Sequence, residues 1–407
     1  MDARVAPRSA IATAVAALGD GSLTAAALAQ HVAPLFSRVL ARDKARIYLA
    51  NHSLGRPLDA TADDVHEGLA AWYDELGGAW DGWLREIEAF RARLAALLGV
   101  ARPDSVVPRA SAGQGLRAVL NSYDATIRVV ATQGEFDSLD VILREYARRR
   151  RIVLELVAPR AGGRFDAGDI VRAIGAGCDL LVVSQVMFNT GQRLIDLPDL
   201  VVAAHRAGAR VLLDVYHALG VLPVDLSALD VDFAVGGSYK YLRGGPGACF
   251  LFVHPRLLDE GLRTLDVGWF AKRDRFGYRR PDPPEYGAGG DAWLESTPPA
   301  LSAYQARAGQ ELTLALDPAR LRAYSLVQQA HLVEALASHG IPARGARDDH
   351  GAFVVVEDDR AEAWAKQLRE AGVVTDARGR YLRLCPDVLT TQDEVTEAAQ
   401  RLGRVRG

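Results

Sequence analysis

The sequence predicts an α/β protein whose large domain is built on a mostly parallel β-sheet and is followed by a smaller α+β domain. Two observations carry this prediction. From about residue 105, short apolar runs alternate with amphipathic stretches of helical periodicity, and after about residue 305 this alternation stops. Apolar strands separated by covering helices are typical of a parallel sheet that is buried on both faces.

The N-terminal part is predicted to be helical. Residues 8–44 and 61–99 carry apolar side chains at helical spacing, and the stretch between them is interrupted by Gly55 and Pro57. We therefore expect a helical segment over residues 1–45, with the large domain beginning at residue 46.

The large domain is predicted to span residues 46–305. A helix is expected in SAGQGLRAVLNSY, and Gly and Pro residues at 277–299 indicate loops at the domain edge. Helices are also expected between most of the strands. The predicted strands are, in order, IRVVAT, RIVLELVA, DLLVVSQV, RVLLDVY, FAVGGS and ACFLFV.

The small domain is predicted to span residues 306–407. It is expected to begin with one long helical stretch, which runs from SAYQ to ASHG. Two short strands, FVVVED and YLRLCP, follow, and a last helix is predicted near 391–403.

Composition excludes several classes of protein. Of 407 residues, 49% are apolar and 24% charged, which is typical of a globular protein, and the net charge of -3 argues against binding to nucleic acid. No apolar run approaches the roughly 20 residues that span a bilayer, so no membrane association is expected. Three widely spaced cysteines predict neither disulfides nor a metal site. With an N-terminus that reads as a helix rather than a signal peptide, a cytoplasmic location is expected.

Reactive side chains follow the ends of neighbouring predicted strands. Asp214 ends RVLLD, His217 comes one turn later, and Lys240 follows FAVGGS in the stretch GGSYKYLRGGPG. Ser111 lies in a small-residue turn before a helix. Ligands bind at the carboxyl ends of the strands in such sheets, so these segments are expected to converge on one pocket.

This combination suits pyridoxal 5'-phosphate. The cofactor's aldehyde needs a lysine amine, its pyridine nitrogen needs a carboxylate, and its phosphate suits a helix N-terminus. Each residue alone has an ordinary explanation: Lys240 as a surface lysine, Asp214 as a turn former, His217 as a packed side chain, Ser111 as an N-cap. Together, in this order on alternating strands, they favour the cofactor site.

At this point the sequence resembles the kynureninase-like members of the class V aminotransferase group, which are fold-type I pyridoxal-phosphate enzymes. The resemblance is carried by LLDVYHALG with GGSYKYLRGGPG, and by IYLANHSLGRP, STPPALSAYQARAGQEL and RYLRLCPDVLTTQDEV. It extends from about residue 46 to the C-terminus and implies a seven-stranded, mostly parallel sheet.

The resemblance implies roles for residues around the cofactor. Lys240 would bind the aldehyde and move protons, Asp214 would pair with the pyridine nitrogen, and His217 would lie close to the ring. Phe136, in GEFDS, would stack on the ring, and Tyr239 would contact the phosphate.

The resemblance also implies a homodimer with shared active sites. Backbone N–H groups at Ser111 and Ala112 would bind the phosphate from the same chain. Trp269, in VGWF, and Thr297, in STPP, would reach the phosphate of the partner subunit's cofactor.

The substrate of such an enzyme would be an amino acid, bound as a small molecule. Arg383, in RYLRLCP, matches the arginine that binds the α-carboxylate, and Asn51 lies in a loop that resembles the active-site entrance. For Arg383 there is a structural alternative, an ion pair with an acid such as Asp376.

The sequence departs from the family on the substrate side. Leu139 stands where the family has an acid, and Phe270 and Lys272 replace a Trp and a His. The leading expectation is a hydrolase that cleaves the Cβ–Cγ bond of a kynurenine-type amino acid to alanine and an aromatic acid. The alternatives are another lyase or an aminotransferase on the same site, or a non-catalytic regulator or scaffold. Desulfurases that resemble this family carry a nucleophilic cysteine in a loop ahead of the carboxylate-binding arginine. A desulfurase is disfavoured because residues 341–376 contain no cysteine.

Overall fold

The computed structural model describes residues 8–42 and 46–406. The predicted N-terminal helical segment lies partly outside these ranges, at residues 1–7 and 43–45. Short π and 3-10 turns occupy residues 28–36, between the second and third helices below. The α-helices are α1 (Ser9–Ala16), α2 (Ala25–Ala27), α3 (Ser37–Arg42), α4 (Ala60–Glu75), α5 (Ala79–Leu97), α6 (Ala112–Leu120), α7 (Asp137–Arg148), α8 (Ala167–Gly175), α9 (Leu197–Arg206), α10 (Leu226–Leu229), α11 (Pro255–Asp259), α12 (Ala300–Leu316), α13 (Pro318–Ser338), α14 (Ala361–Glu370) and α15 (Gln392–Arg406).

The strands form a large central sheet and two small sheets. The strands are β1 (Ile47–Tyr48), β2 (Val106–Arg109), β3 (Ile127–Thr132), β4 (Ile152–Val157), β5 (Leu180–Ser184), β6 (Arg210–Asp214), β7 (Phe233–Gly237), β8 (Cys249–Val253), β9 (Val354–Glu357), β10 (Val373–Val374), β11 (Asp376–Arg378) and β12 (Tyr381–Leu384).

The central sheet confirms the predicted fold class. Its seven strands run in the order β2-β8-β7-β6-β5-β3-β4. Neighbours from β7 to β4 are parallel, and β8 is antiparallel to both β7 and β2. The chain reverses its direction of winding between β3 and β5, where ligands bind in sheets of this type.

The edge strand β2 was not predicted. It has only four residues, and one of them is Pro108, which cannot donate to a ladder and is tolerated at a sheet edge. It pairs with β8, which in turn pairs with β7, so the start of α6 lies at the edge of the sheet where β7 ends.

Side chains alternate between two buried apolar layers, one on each face of the sheet. On β6, Leu213 faces one layer and Leu212 the other. On β5, Val183 and Val182 divide in the same way. Burial on both faces explains why these strands have continuous apolar sequences rather than alternating ones.

The C-terminal region contains the three-stranded sheet β11-β12-β9. Ile47 and Tyr48, which the prediction placed in the large domain, pair with Val373 and Val374 instead of joining the central sheet. The division of the chain at residues 46 and 306 stays a prediction.

The prediction of one long helical stretch after residue 302 is wrong in one respect, because the stretch is not continuous. The chain forms α12 and α13, which are separated at Asp317, where φ is 68°. Pro318 is the cause, because proline lacks the N–H that would continue α12 and disfavours helical backbone in the residue before it. The Asp317 carboxylate then caps α13 by accepting from the N–H of Ala319 at 2.6 Å.

Across residues 8–42 and 46–406, the structure contains no helix with the length and apolar character needed to cross a bilayer.

Candidate active site

Lys240 lies just beyond β7, in the stretch that connects it to β8. Its side chain is buried, and the amine lies 4.6 Å from the ring centre of Tyr216 and 5.3 Å from that of Phe136. Within the described ranges, no carboxylate lies within ion-pair distance of the amine. An ammonium group in such a place loses its hydration without gaining an anionic partner, so this lysine is no surface residue.

The environment of Lys240 favours the neutral amine. Burial lowers the lysine pKa to about 7, which the nearby charge of Asp214 opposes and that of Arg383 reinforces. The amine lies 2.9 Å from Nε2 of His217. Burial, followed by the charge of Lys240, also lowers the pKa of His217 well below its usual range. At neutral pH the site therefore holds an uncharged imidazole beside a reactive amine.

Asp214 ends β6 and is buried at the same edge of the sheet. One of its oxygens, Oδ1, accepts a hydrogen bond from the backbone N–H of Tyr216 at 2.7 Å. Burial raises the pKa of this carboxyl group, against that backbone bond and the charge of Lys240. No ion pair to Asp214 is present among the described residues, so the carboxylate would be stabilised by a cation that enters the cavity.

A second buried acid, Glu135, lies next to this site and was not predicted. Its two oxygens accept from the hydroxyl groups of Thr132 and Ser184, each at 2.6 Å. Ser184 is the register neighbour of Asp214 on the adjacent strand. Burial raises the pKa of Glu135 to about 7, and the charge of Asp214 adds to this shift. A Glu directly after a Gly-containing turn gives no sequence signal for such a position.

The N-terminus of α6 points toward the same place. Ser111 caps the helix, since its hydroxyl accepts from the N–H of Gln114 at 3.2 Å, and the Gln114 side chain accepts from the N–H of Ala110 at 2.8 Å. This reciprocal cap fixes the turn. Gly115 lets α6 approach the sheet, because a Cβ there would lie 2.6 Å from Val235. The N–H groups at Ala112 and the residues after it are therefore held at the pocket edge.

These elements enclose one cavity of about 160 Å³. Seven of the predicted site residues line it: Ser111, Ala112, Phe136, Asp214, His217, Tyr239 and Lys240. Tyr216, Ser138 and Cys249 also line it and were not predicted.

Arg383 lies on β12, directly across from Asp376 on β11. The two side chains form a two-bond ion pair, with Nε to Oδ1 at 2.9 Å and Nη2 to Oδ2 at 2.6 Å. Nη1 donates to the carbonyl oxygen of Phe188 at 2.5 Å. The ion pair that the sequence offered as the alternative is therefore present. A guanidinium has five N–H groups, and these contacts leave one on each terminal nitrogen.

Asn51 is fully buried, and its amide donates to the carbonyl oxygen of Cys385 at 3.0 Å. The next residue, His52, contacts Asp376 instead, with Nε2 to Oδ1 at 2.8 Å. Sequence reasoning named Asp376 as an ion-pair partner of Arg383 but missed His52, its contact with Asp376, and Phe188. The loop was recognised, but nothing in its residues indicates which side chain turns toward Arg383.

Trp269 and Thr297 do not line the cavity of their own chain. Thr297 is exposed, and Trp269 is half-buried against Trp80, Phe270 and Phe276, with ring centres 6.3, 4.5 and 5.7 Å away. Their predicted contact with a partner subunit stays a prediction.

Two departures from the expected sequence are explained by packing. Leu139, on α7, is fully buried in an apolar layer, and Phe270 is buried in the aromatic group around Trp80. Lys272 is half-buried. The acid expected at position 139 would be costly here, because its carboxylate would be buried among apolar side chains.

Comparisons with known proteins agree with the fold and the cavity. A family model described as aminotransferase class-V matches residues 81–380. A kynureninase of Salinispora tropica is 32% identical over 81% of this chain and 83% of its own length. A kynureninase of Pseudomonas fluorescens is 29% identical over 88% and 89%. YcbU of Bacillus subtilis, an uncharacterized aminotransferase, is 25% identical over 84% and 91%.

Solved structures share the fold at low sequence identity. A C-DES mutant with glycine covalently linked to its PLP cofactor has a TM-score of 0.79 at 20% identity, covering 91% of this chain and 98% of that chain. A cysteine desulfurase from Thermococcus onnurineus NA1 has a TM-score of 0.78 at 16% identity, with the same coverage.

The fold and the cavity define a fold-type I pyridoxal-phosphate enzyme, and the chain belongs to the aminotransferase class-V family. Within that family it is kynureninase-like. Its cofactor is pyridoxal 5'-phosphate, and the cavity fits this group. Among the described residues, Lys240 offers an amine without a carboxylate partner, Asp214 offers a carboxylate without a cation, and α6 offers a capped N-terminus. All three lie at this cavity.

Proposed function

We propose that this chain is a hydrolase that cleaves the Cβ–Cγ bond of a kynurenine-type amino acid, releasing alanine and an aromatic acid. The observation that carries the proposal is the combination of Lys240, Asp214 and Arg383 with kynureninase relatives that match more than four fifths of the chain. Relatives of similar length support an activity of the whole chain rather than of one module.

Each of the main residues that line the cavity has a proposed role. When bound, pyridoxal phosphate withdraws electrons from the amino acid's Cα. Asp214 keeps the pyridine nitrogen protonated, and its burial strengthens that pairing because little else competes for the carboxylate. Lys240 holds the aldehyde before substrate arrives, and afterwards its amine takes and returns the proton at Cα. Phe136 packs against the ring.

The phosphate is proposed to lie at the N-terminus of α6. The N–H groups that follow Ser111 point there, and the helix dipole favours a doubly charged anion. Tyr239 lines the same cavity and supplies a phenol. His217, which is uncharged, contacts the cofactor ring without competing for the phosphate.

Arg383 is proposed to bind the substrate's α-carboxylate. Its remaining N–H groups, one on each terminal nitrogen, are the donors available to a carboxylate, and the planar guanidinium is suited to two parallel bonds. The guanidinium carbon also lies 5.8 Å above the ring of Phe353. Ion pairing with Asp376 and substrate binding are therefore compatible roles of one side chain.

Aromatic side chains lie between Lys240 and Arg383. The ring of Phe188 is 5.3 Å from that of Phe136, and the ring of Phe353 is 6.1 Å from that of His217. Such surroundings suit a substrate with an aromatic side chain. They support a kynurenine-type compound without distinguishing among ring substituents.

A homodimer is proposed as the working unit, with Trp269 and Thr297 reaching the partner's site. The aromatic group around Trp80 continues through Trp83 to Trp72, which is 55% exposed. An exposed aromatic surface of this kind is typical of a protein interface. A cytoplasmic location is part of the same proposal.

An aminotransferase or another lyase is the second candidate, supported by the relative YcbU. A desulfurase is less well supported. Cys385 is buried, its thiol donates to the carbonyl oxygen of Ala352 at 3.2 Å, and burial raises the pKa of that thiol. A cysteine in this state is a poor nucleophile.

The proposal is tested by mixing the holoenzyme with a panel of amino acids that includes L-kynurenine and 3-hydroxykynurenine. The absorbance of the cofactor reports binding, and chromatography identifies products. Alanine and an aromatic acid in equal amounts are expected. Formation of a keto acid with an aminated cofactor would instead support the aminotransferase.

A further inference from the structure

Asp376 is held from two directions. Arg383 donates to it with two N–H groups, at 2.9 and 2.6 Å. From the other direction, His52 contacts Oδ1 at 2.8 Å and the hydroxyl of Ser53 donates to Oδ2. Both carboxylate oxygens therefore have two partners, which leaves the group little freedom to rotate.

The loop that carries His52 and Ser53 also rests on the lysine segment. The N–H of Gly55 donates to the carbonyl oxygen of Tyr239 at 2.8 Å. A Cβ at Gly55 would lie 2.0 Å from the carbonyl oxygen of Lys240, so only glycine fits this close approach. One short loop thus joins the backbone of the lysine to the acid that orients Arg383.

His52 holds Asp376 as a neutral donor. Its ring is completely buried and lies 4.9 Å from the ring of Phe353. Burial, followed by the charge of Arg383, lowers the pKa of His52 to about 4. An ionised carboxylate only accepts hydrogen bonds, so the proton of the neutral imidazole lies on Nε2. The negative charge of Asp376 consequently remains available to Arg383.

We propose that His52 and Ser53 are positioning residues that fix Asp376, and through it hold the Arg383 guanidinium with its remaining N–H groups toward the substrate's α-carboxylate. Because the same loop rests on Lys240, they also fix the separation between the lysine that holds the aldehyde and the arginine that receives the substrate's carboxylate. This inference rests on the proposed role of Arg383.

A positioning role differs from a merely structural one in its dependence on the ligand. The test compares two ligands of the holoenzyme, L-kynurenine and the amine that remains when its carboxylate is removed. Affinity is measured by rapid mixing, from the change in cofactor absorbance that precedes alanine release, beside cofactor content and thermal unfolding. The variants are His52→Leu, His52→Gln and Ser53→Ala, with Asp376→Asn as the positive control because it removes the charge that holds Arg383.

His52→Leu is expected to weaken binding of the amino acid by about tenfold, the size that loss of a hydrogen bond to a charged group implies. Binding of the amine, which has no carboxylate for Arg383, is expected to stay within about threefold of the wild-type value. His52→Gln is expected to restore most of the loss, because its side-chain N–H group reaches in the direction of Nε2. Ser53→Ala is expected to show a smaller loss of the same kind.

Equal weakening of both ligands by His52→Leu, or none of either, would overturn the inference. The inference would also be overturned if the wild-type protein bound the amino acid no more tightly than the amine, or if it bound neither ligand. The proposed reaction is followed separately as alanine release. If no alanine forms but the preference for the carboxylate is present in the wild type and lost in His52→Leu, the reaction is wrong and the positioning role stands.

Discussion

The amine of Lys240 lies 2.9 Å from Nε2 of His217, and within the described ranges neither group has a carboxylate within ion-pair distance. Two bases in contact, both buried, cannot both carry a proton without a large cost in free energy. Burial lowers the pKa of each group. The site is thereby prepared to offer an uncharged amine to an aldehyde.

Lys240→Ala is expected to abolish turnover and the covalent attachment of the cofactor, since no other lysine of residues 8–42 and 46–406 lines the cavity. Borohydride reduction of the wild-type holoenzyme followed by peptide mapping should locate the cofactor on Lys240. Attachment to a different lysine would disprove the assignment.

The stability of the cofactor-free protein should rise with pH because of Lys240. Its pKa is about 7 in the folded chain, below its ordinary value of 10.5. Between these two values the unfolded chain binds the proton that the folded chain has released, so the free energy of unfolding rises by about 1.4 kcal/mol for each pH unit. The measurement is urea unfolding at pH 8 and 9, with Lys240→Met as the control. Identical slopes in the two proteins would show that the lysine pKa is not lowered.

Asp214→Asn is expected to lower kcat by roughly a hundredfold or more, because an amide cannot stabilise a protonated pyridine nitrogen. The fold should survive, since the amide oxygen of Asn can still accept from the N–H of Tyr216. Steady-state kinetics are compared at matched cofactor content and thermal stability. Near-normal turnover would mean that another group pairs with the ring.

Shared active sites can be tested by mixing inactive chains. The Lys240→Ala chain lacks the reactive amine in its own site. A chain with both Trp269→Ala and Thr297→Ala keeps its own lysine but should weaken phosphate binding in the site of the partner subunit. Random reassociation gives mixed dimers in half the population, each with one intact site, so about a quarter of the wild-type activity should return. Mixtures that stay inactive after proven subunit exchange would contradict a shared site.

Arg383→Ala is expected to raise KM steeply for any α-amino acid, and Arg383→Lys should recover little because it lacks the planar fork. The ion pair complicates this variant, since Asp376 would be left buried without its partner. Pairing Arg383→Ala with Asp376→Asn removes the unpaired charge. If the double variant regained stability and also normal substrate affinity, the role of Arg383 would be structural alone.

The sequence predicted the parts of this protein whose signals are local. The strands of the sheet have continuous apolar sequences because both faces are buried. All seven cavity-lining predictions lie at or just beyond strand ends or at helix starts. Lys240 and Asp214 could be paired in advance because parallel strands bring their carboxyl ends to one edge.

Tertiary structure alone decided the rest. His52 and Asp376 are separated by 324 positions in the chain, and no local pattern indicates that this histidine, rather than Asn51, would turn toward the arginine's acid. Glu135 reads as a turn residue until Ser184 on another strand gives it a hydroxyl donor. The physical reason is common to both cases. Sequence periodicity determines which face of an element is buried, but the partner of a buried polar group depends on which elements pack together and how closely, and the free energy of that pairing exists only in the folded chain.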